Sequence, residues 1–135
     1  MALIQWSSSL SVGVREIDAQ HQQLINMLNN LNDAMLQGKG NDAMSAIVSG
    51  LISYTRTHFN AEEKYFDQYM YPERIAHKQE HKQFVEKIVQ FKENLDTGKA
   101  GMTVEVMQFL TSWLRNHIMG TDKRYTQFMN QHGIK

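Results

Sequence analysis

Residues 58–91 read HFNAEEKYFDQYMYPERIAHKQEHKQFVEKIVQF, and this stretch decides the fold. Both halves repeat apolar side chains at steps of three and four, which is typical of amphipathic helices. Tyr71-Pro72 separates the halves, and Pro72 suits the first turn of a new helix, where no N–H donor is needed. A connection this short predicts that the two helices run antiparallel to each other.

One further helical stripe lies on each side of this pair. The fold prediction is therefore all-α, an antiparallel up-down-up-down four-helix bundle over about residues 18–120. Asp18 is the predicted N-cap of the first helix, preceded by an N-terminal arm at 1–17 and followed, after the bundle, by a short tail at 121–135. We expect a single domain spanning residues 1–135. The apolar positions of the four stripes are, in chain order, Leu24, Leu28, Leu31 and Met35; Ile47, Leu51, Tyr54, Tyr65 and Tyr69; Phe84, Ile88, Phe91 and Leu95; and Val106, Leu110 and Trp113.

Composition narrows the classes of protein that need to be considered. Lys plus Arg and Asp plus Glu both number 14, so charge gives no reason to expect nucleic acid or an anionic membrane as partner. The absence of Cys excludes disulfides, thiolate metal ligands and Cys nucleophiles. The first residues lack the features of a signal peptide, and no apolar run is long enough for membrane insertion. We therefore expect a cytoplasmic protein.

Five of the six histidines and one glutamate continue the apolar stripes, where a buried core is expected. A single such histidine usually bonds to a backbone carbonyl, and a metal-free network of histidines and carboxylates is a second alternative. In an antiparallel bundle, however, all six groups converge at one end, and burying them unpaired would cost several kcal/mol. A bound metal removes that cost. The six groups are His21, His58, Glu62, His77, His81 and His117.

Spacing supports metal ligation for most of these groups. His77 and His81 are four residues apart, so they stack on one helix face as a chelating pair requires. Asp122 follows His117 by five residues, and on a straight helix two such positions diverge by about 140°. Asp122 can therefore join the cluster only if the helix ends or loosens near Gly120.

Seven ligands exceed the needs of a single ion, because zinc sites use four and octahedral ions use six. Two ions bridged by Glu62 and Asp122, with a shared solvent-derived oxygen, would leave one ion closed and the other with a vacancy. Nitrogen and oxygen ligands in octahedral surroundings favour iron or manganese. The chain contains neither the Glu-x-x-His pairs of ferritin-like proteins nor the His-Glu-x-x-His motif of zinc proteases.

A set of motifs covering roughly residues 4–125 resembles the hemerythrin family, specifically its single-domain bacteriohemerythrins. The resemblance implies that His77, His81 and His117 bind a coordinatively saturated iron, and that His21 and His58 bind the iron with the open position. It also implies bridging by Glu62 and Asp122 and by an oxo or hydroxo group. The motifs are Trp6, Val12-Gly13-Val14, Ile17-Asp18-Ala19-Gln20-His21, His58-x-x-x-Glu62-Glu63, Tyr71-Pro72, His77-x-x-x-His81, Phe84, and Trp113-Leu114-x-x-His117-x-x-x-x-Asp122.

The function implied by this resemblance is reversible dioxygen binding at a non-haem di-iron centre, for oxygen transport, storage or delivery. Leu114 and Trp113 are candidate residues of the ligand pocket, and we predict no catalytic residue. An oxygen-consuming enzyme would be the recipient, and we expect a monomer. The alternatives are a di-iron enzyme that reduces peroxide or nitric oxide, and an oxygen sensor that acts through a partner.

Overall fold

The computed structural model describes residues 4–99 and 104–135, and it confirms the predicted all-α four-helix bundle. Each helix is joined to the next by a short connection, so neighbouring helices run antiparallel. No strand occurs in these two ranges. None of the helices found there is both long and apolar enough to cross a membrane. The four helices are α1, Arg15–Leu36; α2, Asn41–Tyr69; α3, Arg74–Asp96; and α4, Val104–Asn116.

The predicted stripes identify the buried faces of the helices, but on α2 the stripe follows only one edge of that face. Tyr54 and Tyr65 on this stripe are half-buried, whereas Phe59 and Phe66 beside it are buried. Helix α2 packs against both α1 and α3, so its buried face is wider than a single stripe. Leu51 and the two polar groups of the α2 stripe are buried as predicted.

Two predicted helix starts differ from the structure. Helix α1 begins at Arg15, not at Asp18, and the Asp18 carboxylate accepts hydrogen bonds from Val12 N at 2.8 Å and Ser11 Oγ at 2.5 Å. Asp18 therefore fastens the N-terminal arm to α1 and does not cap the helix. Pro72 lies in the turn before α3, whose first residue is Arg74.

The chain after α4 is more ordered than the predicted tail. A π-helical turn at His117–Thr121 and a 3-10 turn at Asp122–Tyr125 lead into a short helix α5, Thr126–Gln131. Tyr125 in the 3-10 turn and Met129 in α5 are fully buried. This segment therefore completes the end of the bundle where the polar groups converge.

The N-terminal arm packs against α5. Thr126 Oγ1 donates a hydrogen bond to the carbonyl of Val12 at 2.6 Å. Gly13 has a φ of +73°, and a Cβ atom there would come within 2.8 Å of Thr126 Cγ2. Only glycine combines this left-handed backbone with so close an approach. The N-terminal arm and α5 thus together cover the end of the bundle where the polar groups converge.

Candidate metal centre

The structure brings all seven predicted ligands together at one end of the bundle. Each side chain is between 0 and 3% exposed. The histidines divide into two groups, which we call the three-histidine set (His77, His81 and His117) and the two-histidine set (His21 and His58). Residues from α1, α2, α3 and the segment after α4 contribute, so the cluster depends on the packing of the whole bundle.

The three-histidine set faces both carboxylates. Asp122 Oδ1 lies 2.9 Å from His77 Nε2 and 3.0 Å from His117 Nε2. His81 Nε2 lies 3.3 Å from Glu62 Oε1. One ligand atom from each of these five residues lies within 4.8 Å of the others, a spacing that could hold one metal ion.

The two-histidine set faces the same two carboxylates from the other side. His21 Nε2 lies 3.1 Å from Asp122 Oδ2, and His58 Nε2 lies 3.3 Å from Glu62 Oε1. Ligand atoms of His21, His58 and Glu62 form a second group within 4.8 Å. Asp122 therefore directs one oxygen to each set, and Glu62 Oε1 lies between His58 and His81.

The π-helical turn explains how Asp122 reaches this cluster despite its spacing from His117. The backbone N–H of Asp122 donates to the carbonyl oxygen of His117, five residues earlier. A π turn has more residues per turn than an α-helix, so positions i and i+5 come to the same face. The helix thus loosens across the interval that contains Gly120.

Several inward-facing atoms of the cluster lack hydrogen bonds although they lie close to one another. Glu62 Oε1, His77 Nε2 and both carboxylate oxygens of Asp122 are buried without a hydrogen-bond partner in the part of the chain that the structure describes. His81 Nε2 and His117 Nε2 face each other at 3.2 Å. Two imidazole lone pairs at that distance repel unless a proton or a cation lies between them. The donor set therefore fits bound metal.

Electrostatics within the metal-free cluster favour ionised carboxylates beside protonated histidine. Burial raises the pKa of Asp122, but its interactions with the imidazoles of His117, His21 and His77 outweigh burial and hold that pKa well below its usual range. Burial likewise lowers the pKa of His81, yet the adjacent carboxylates of Glu62 and Glu63 raise it to about 9. A metal ion would replace these protons, because ligating histidines must be neutral.

The residues that hold the outer ring nitrogens were not predicted. His58 Nδ1 lies 2.6 Å from Gln20 Oε1, and His81 Nδ1 lies 2.8 Å from Glu63 Oε2. If these nitrogens carry the ring protons, each Nε2 directs its lone pair into the cluster. Gln20 and Glu63 stand within the quoted motifs, beside a ligand in each case, but spacing gives no sign of which histidine they contact.

Glu80 and Tyr125 complete the surroundings of the cluster, and sequence reasoning missed both. Glu80 Oε1 lies 3.4 Å from His117 Nδ1. The Tyr125 hydroxyl donates to Glu62 Oε2 at 2.5 Å, and burial raises the pKa of this phenol well above its usual range. Glu80 reads as an ordinary exposed residue of α3, and Tyr125 fell in the segment predicted to be a tail.

Aromatic rings shield the three-histidine set. Phe59 stacks on His81 with ring centroids 3.7 Å apart, and Trp113 stacks on His117 at 4.4 Å. Trp113 thus contacts the three-histidine set. Leu114 is buried, and its role in a ligand pocket stays a prediction.

His132, the one histidine outside the predicted ligand set, lies against Tyr69 and Phe128 away from the cluster. Its ring centroid is 4.5 Å from that of Tyr69 and 4.7 Å from that of Phe128. Both contacts are aromatic, so the sixth histidine packs as an ordinary ring between α2 and α5.

Comparison with known proteins gives concordant matches. The family model for the hemerythrin HHE cation binding domain matches residues 12–128. A bacteriohemerythrin from Stenotrophomonas maltophilia is 32% identical over 132 residues, which are 98% of this chain and 85% of the relative. A bacteriohemerythrin from Methylococcus capsulatus is 30% identical over 126 residues, covering 93% and 95% of the two chains. A crystal structure of wild-type hemerythrin matches with a TM-score of 0.88 at 29% identity, covering 93% of this chain and 97% of that chain.

Proposed function

The chain belongs to the hemerythrin family, and we propose that it holds two iron ions in this cluster and binds dioxygen there reversibly. In this proposal the three-histidine set binds one iron and the two-histidine set binds the other. Glu62 and Asp122 bridge them, together with an oxo or hydroxo group. The two-histidine iron has fewer protein ligands, so it offers the position for dioxygen.

The placement of Asp122 is the observation that carries this proposal. Its Oδ1 lies within 3.0 Å of nitrogens from the three-histidine set, and its Oδ2 lies 3.1 Å from His21 of the two-histidine set. A carboxylate that directs one oxygen to each of two nitrogen sets has the arrangement needed to bridge two ions. Asp122 is fully buried, so bulk water does not compete for its carboxylate oxygens.

When bound, two adjacent irons supply the redox chemistry that lets dioxygen attach and leave again. The protein's own residues orient the ligands and keep bulk water out. Gln20 and Glu63 hold the outer nitrogens of His58 and His81, which fixes the ring orientations. Phe59 and Trp113 cover His81 and His117 with apolar surface.

We propose a binding protein and not an enzyme because the acidic side chains nearest the cluster are already engaged. Glu63 and Glu80 contact the outer nitrogens of His81 and His117, and the Tyr125 hydroxyl donates a hydrogen bond to Glu62. These groups are poorly placed to deliver the protons that bound dioxygen would need, together with electrons, to be reduced and not released.

The physiological role that we propose is oxygen transport, storage or delivery to an oxygen-consuming enzyme. A cytoplasmic location and a monomeric state remain proposals from the sequence. Balanced charge gives no reason to include nucleic acid among the partners.

The test is to load the purified protein with iron and record its visible spectrum through repeated cycles of air and argon. We expect the spectrum to change in air and to return under argon over several cycles. Oxidation that never reverses, or steady consumption of added peroxide or nitric oxide, would contradict carriage and support the enzymatic alternative.

A further inference from the structure

The five histidines differ in what their outer ring nitrogens contact. In the three-histidine set, His81 Nδ1 lies 2.8 Å from a carboxylate oxygen of Glu63, and His117 Nδ1 lies 3.4 Å from a carboxylate oxygen of Glu80. Two of the three histidines of this set therefore face an acidic side chain with their outer nitrogen.

The two-histidine set lacks such carboxylates at its outer nitrogens. His58 Nδ1 lies 2.6 Å from the amide oxygen of Gln20, which is neutral. His21 Nδ1 is buried and has no hydrogen-bond partner within residues 4–99 and 104–135. The two sets thus differ in the charge of the groups that contact their outer nitrogens, as well as in the number of histidines.

This difference has a direct electronic consequence for bound metal. A ligating imidazole that donates its other N–H to a carboxylate becomes a stronger donor, because the carboxylate draws the proton away and adds negative charge. Stronger donation and nearby negative charge both favour the ferric over the ferrous ion. A neutral amide at the same position gives a weaker effect.

We propose that Glu63 and Glu80 are positioning residues that make the three-histidine iron easier to oxidise than the two-histidine iron. This inference rests on the proposed di-iron function and adds an order of oxidation to it. When an added one-electron oxidant titrates the iron-loaded protein, the first electron would come from the iron held by the three-histidine set, and the iron held by the two-histidine set would stay ferrous longer.

A further hydrogen bond holds the Glu80 carboxylate in place. Thr121 Oγ1, in the π-helical turn, donates to Glu80 Oε1 at 2.9 Å, so the turn that presents Asp122 also holds Glu80. Glu63 is 25% exposed and Glu80 is 39% exposed, so water weakens the influence of Glu80 more. The contact of Glu80 with its histidine is also longer than that of Glu63. We therefore expect Glu63 to have the larger effect on the potential of the three-histidine iron.

The test is a redox titration of the iron-loaded protein under argon, followed by electron paramagnetic resonance of the mixed-valence state. Glu63→Gln and Glu80→Gln remove the two carboxylates, and Gln20→Glu introduces one against His58. Glu86→Gln is the matched control, since Glu86 lines the same surface groove as Glu63 but is hydrogen-bonded to none of the five histidines.

We expect Glu63→Gln to reduce the preference of the three-histidine iron for the ferric state about tenfold. This change raises the lower of the two one-electron potentials by about 59 mV. Glu80→Gln should give a smaller rise. Gln20→Glu should lower the upper potential, so the two potentials approach each other and the mixed-valence fraction falls. Glu86→Gln should change neither. Equal shifts in Glu63→Gln and Glu86→Gln, or a rise in Gln20→Glu, would overturn the inference.

A second readout covers variants that hold iron poorly. Titration of the metal-free protein with Co²⁺, followed by visible absorption, reports the affinity of each set without redox chemistry. We expect Glu63→Gln to weaken one of two Co²⁺ sites about tenfold and to leave the other unchanged. Weakening of both sites alike would overturn the inference. Two irons without reversible oxygenation in the unaltered protein would contradict the proposed function, yet both titrations could still be interpreted.

Discussion

The backbone N–H of Asp122 donates a hydrogen bond to the carbonyl oxygen of His117, and this bond over five residues defines a π-helical turn. It brings Asp122 Oδ1 to 3.0 Å from His117 Nε2. On an α-helix the same two positions would diverge by about 140°. A local departure from α-helical geometry therefore completes the cluster, as π turns often do at functional sites.

Replacing Asp122 by asparagine tests its bridging role. Asp122→Asn keeps the shape of the side chain but removes the negative charge that faces three histidines. We expect iron per chain, measured by elemental analysis, to fall below two, because one bridge is lost. The control Asp42→Asn, at the exposed start of α2, should keep two irons. Retention of two irons by Asp122→Asn would contradict the bridging assignment.

Replacing Tyr125 by phenylalanine tests the hydrogen bond that the hydroxyl donates to Glu62. Both residues are fully buried, so the variant leaves a carboxylate oxygen without its donor. We expect the free energy of unfolding of the metal-free protein to fall by about 1.5–3 kcal/mol in urea titrations. Tyr71→Phe is the control, because Tyr71 is also buried but its hydroxyl donates to the exposed Glu73. Water can replace that hydrogen bond to the Glu73 carboxylate. Equal losses in the two variants would contradict a special role for Tyr125.

The sequence predicts the bundle and the position of the cluster because both depend on helical periodicity. Leu28, Phe84 and Leu110 are buried where their stripes place them, and His77 and His81 share one face as their spacing requires. The short connections determine which helix ends meet. These are local regularities that a single sequence displays.

The remaining features depend on contacts between segments far apart in the chain. Gln20 meets His58, and Tyr125 meets Glu62, across gaps that no local pattern encodes. The residue type of Asp18 suggests an N-cap, but its carboxylate instead accepts hydrogen bonds from Ser11 and Val12 of the N-terminal arm. Likewise, the polar composition around Lys123 suggests a tail, although Tyr125 enters the core.

The stability of the metal-free protein should depend on pH through His81. Its pKa is raised to about 9 by the carboxylates of Glu62 and Glu63, so its stabilising contribution is full below about pH 6.5 and is lost as pH rises through about 9. We expect the free energy of unfolding to fall by up to about 3 kcal/mol over this interval. Iron-loaded protein kept under argon should show a smaller fall, since metal replaces the proton. A metal-free protein whose stability rises from pH 6.5 to 9 would contradict this account.

Replacing Leu114 by alanine tests whether this buried residue shields the ligand pocket. The cavity should destabilise the protein by about 2–5 kcal/mol whatever its functional role. Leu110→Ala, one turn earlier on α4 and equally buried, makes a comparable cavity farther from His117. If Leu114 shields the pocket, autoxidation followed in the visible spectrum should accelerate in Leu114→Ala and not in Leu110→Ala. Equal autoxidation rates in the two variants would show that Leu114 only packs in the core and does not shield the pocket.

The central claim is that the seven buried groups hold two iron ions. Stepwise titration of the metal-free protein with Fe²⁺ under argon, with bound iron and free iron separated at each step, tests it most directly. We expect binding to saturate at two irons per chain, and to saturate below two when Asp122 is replaced by asparagine. Saturation at one iron in the unaltered protein, or no binding at all, would contradict the claim.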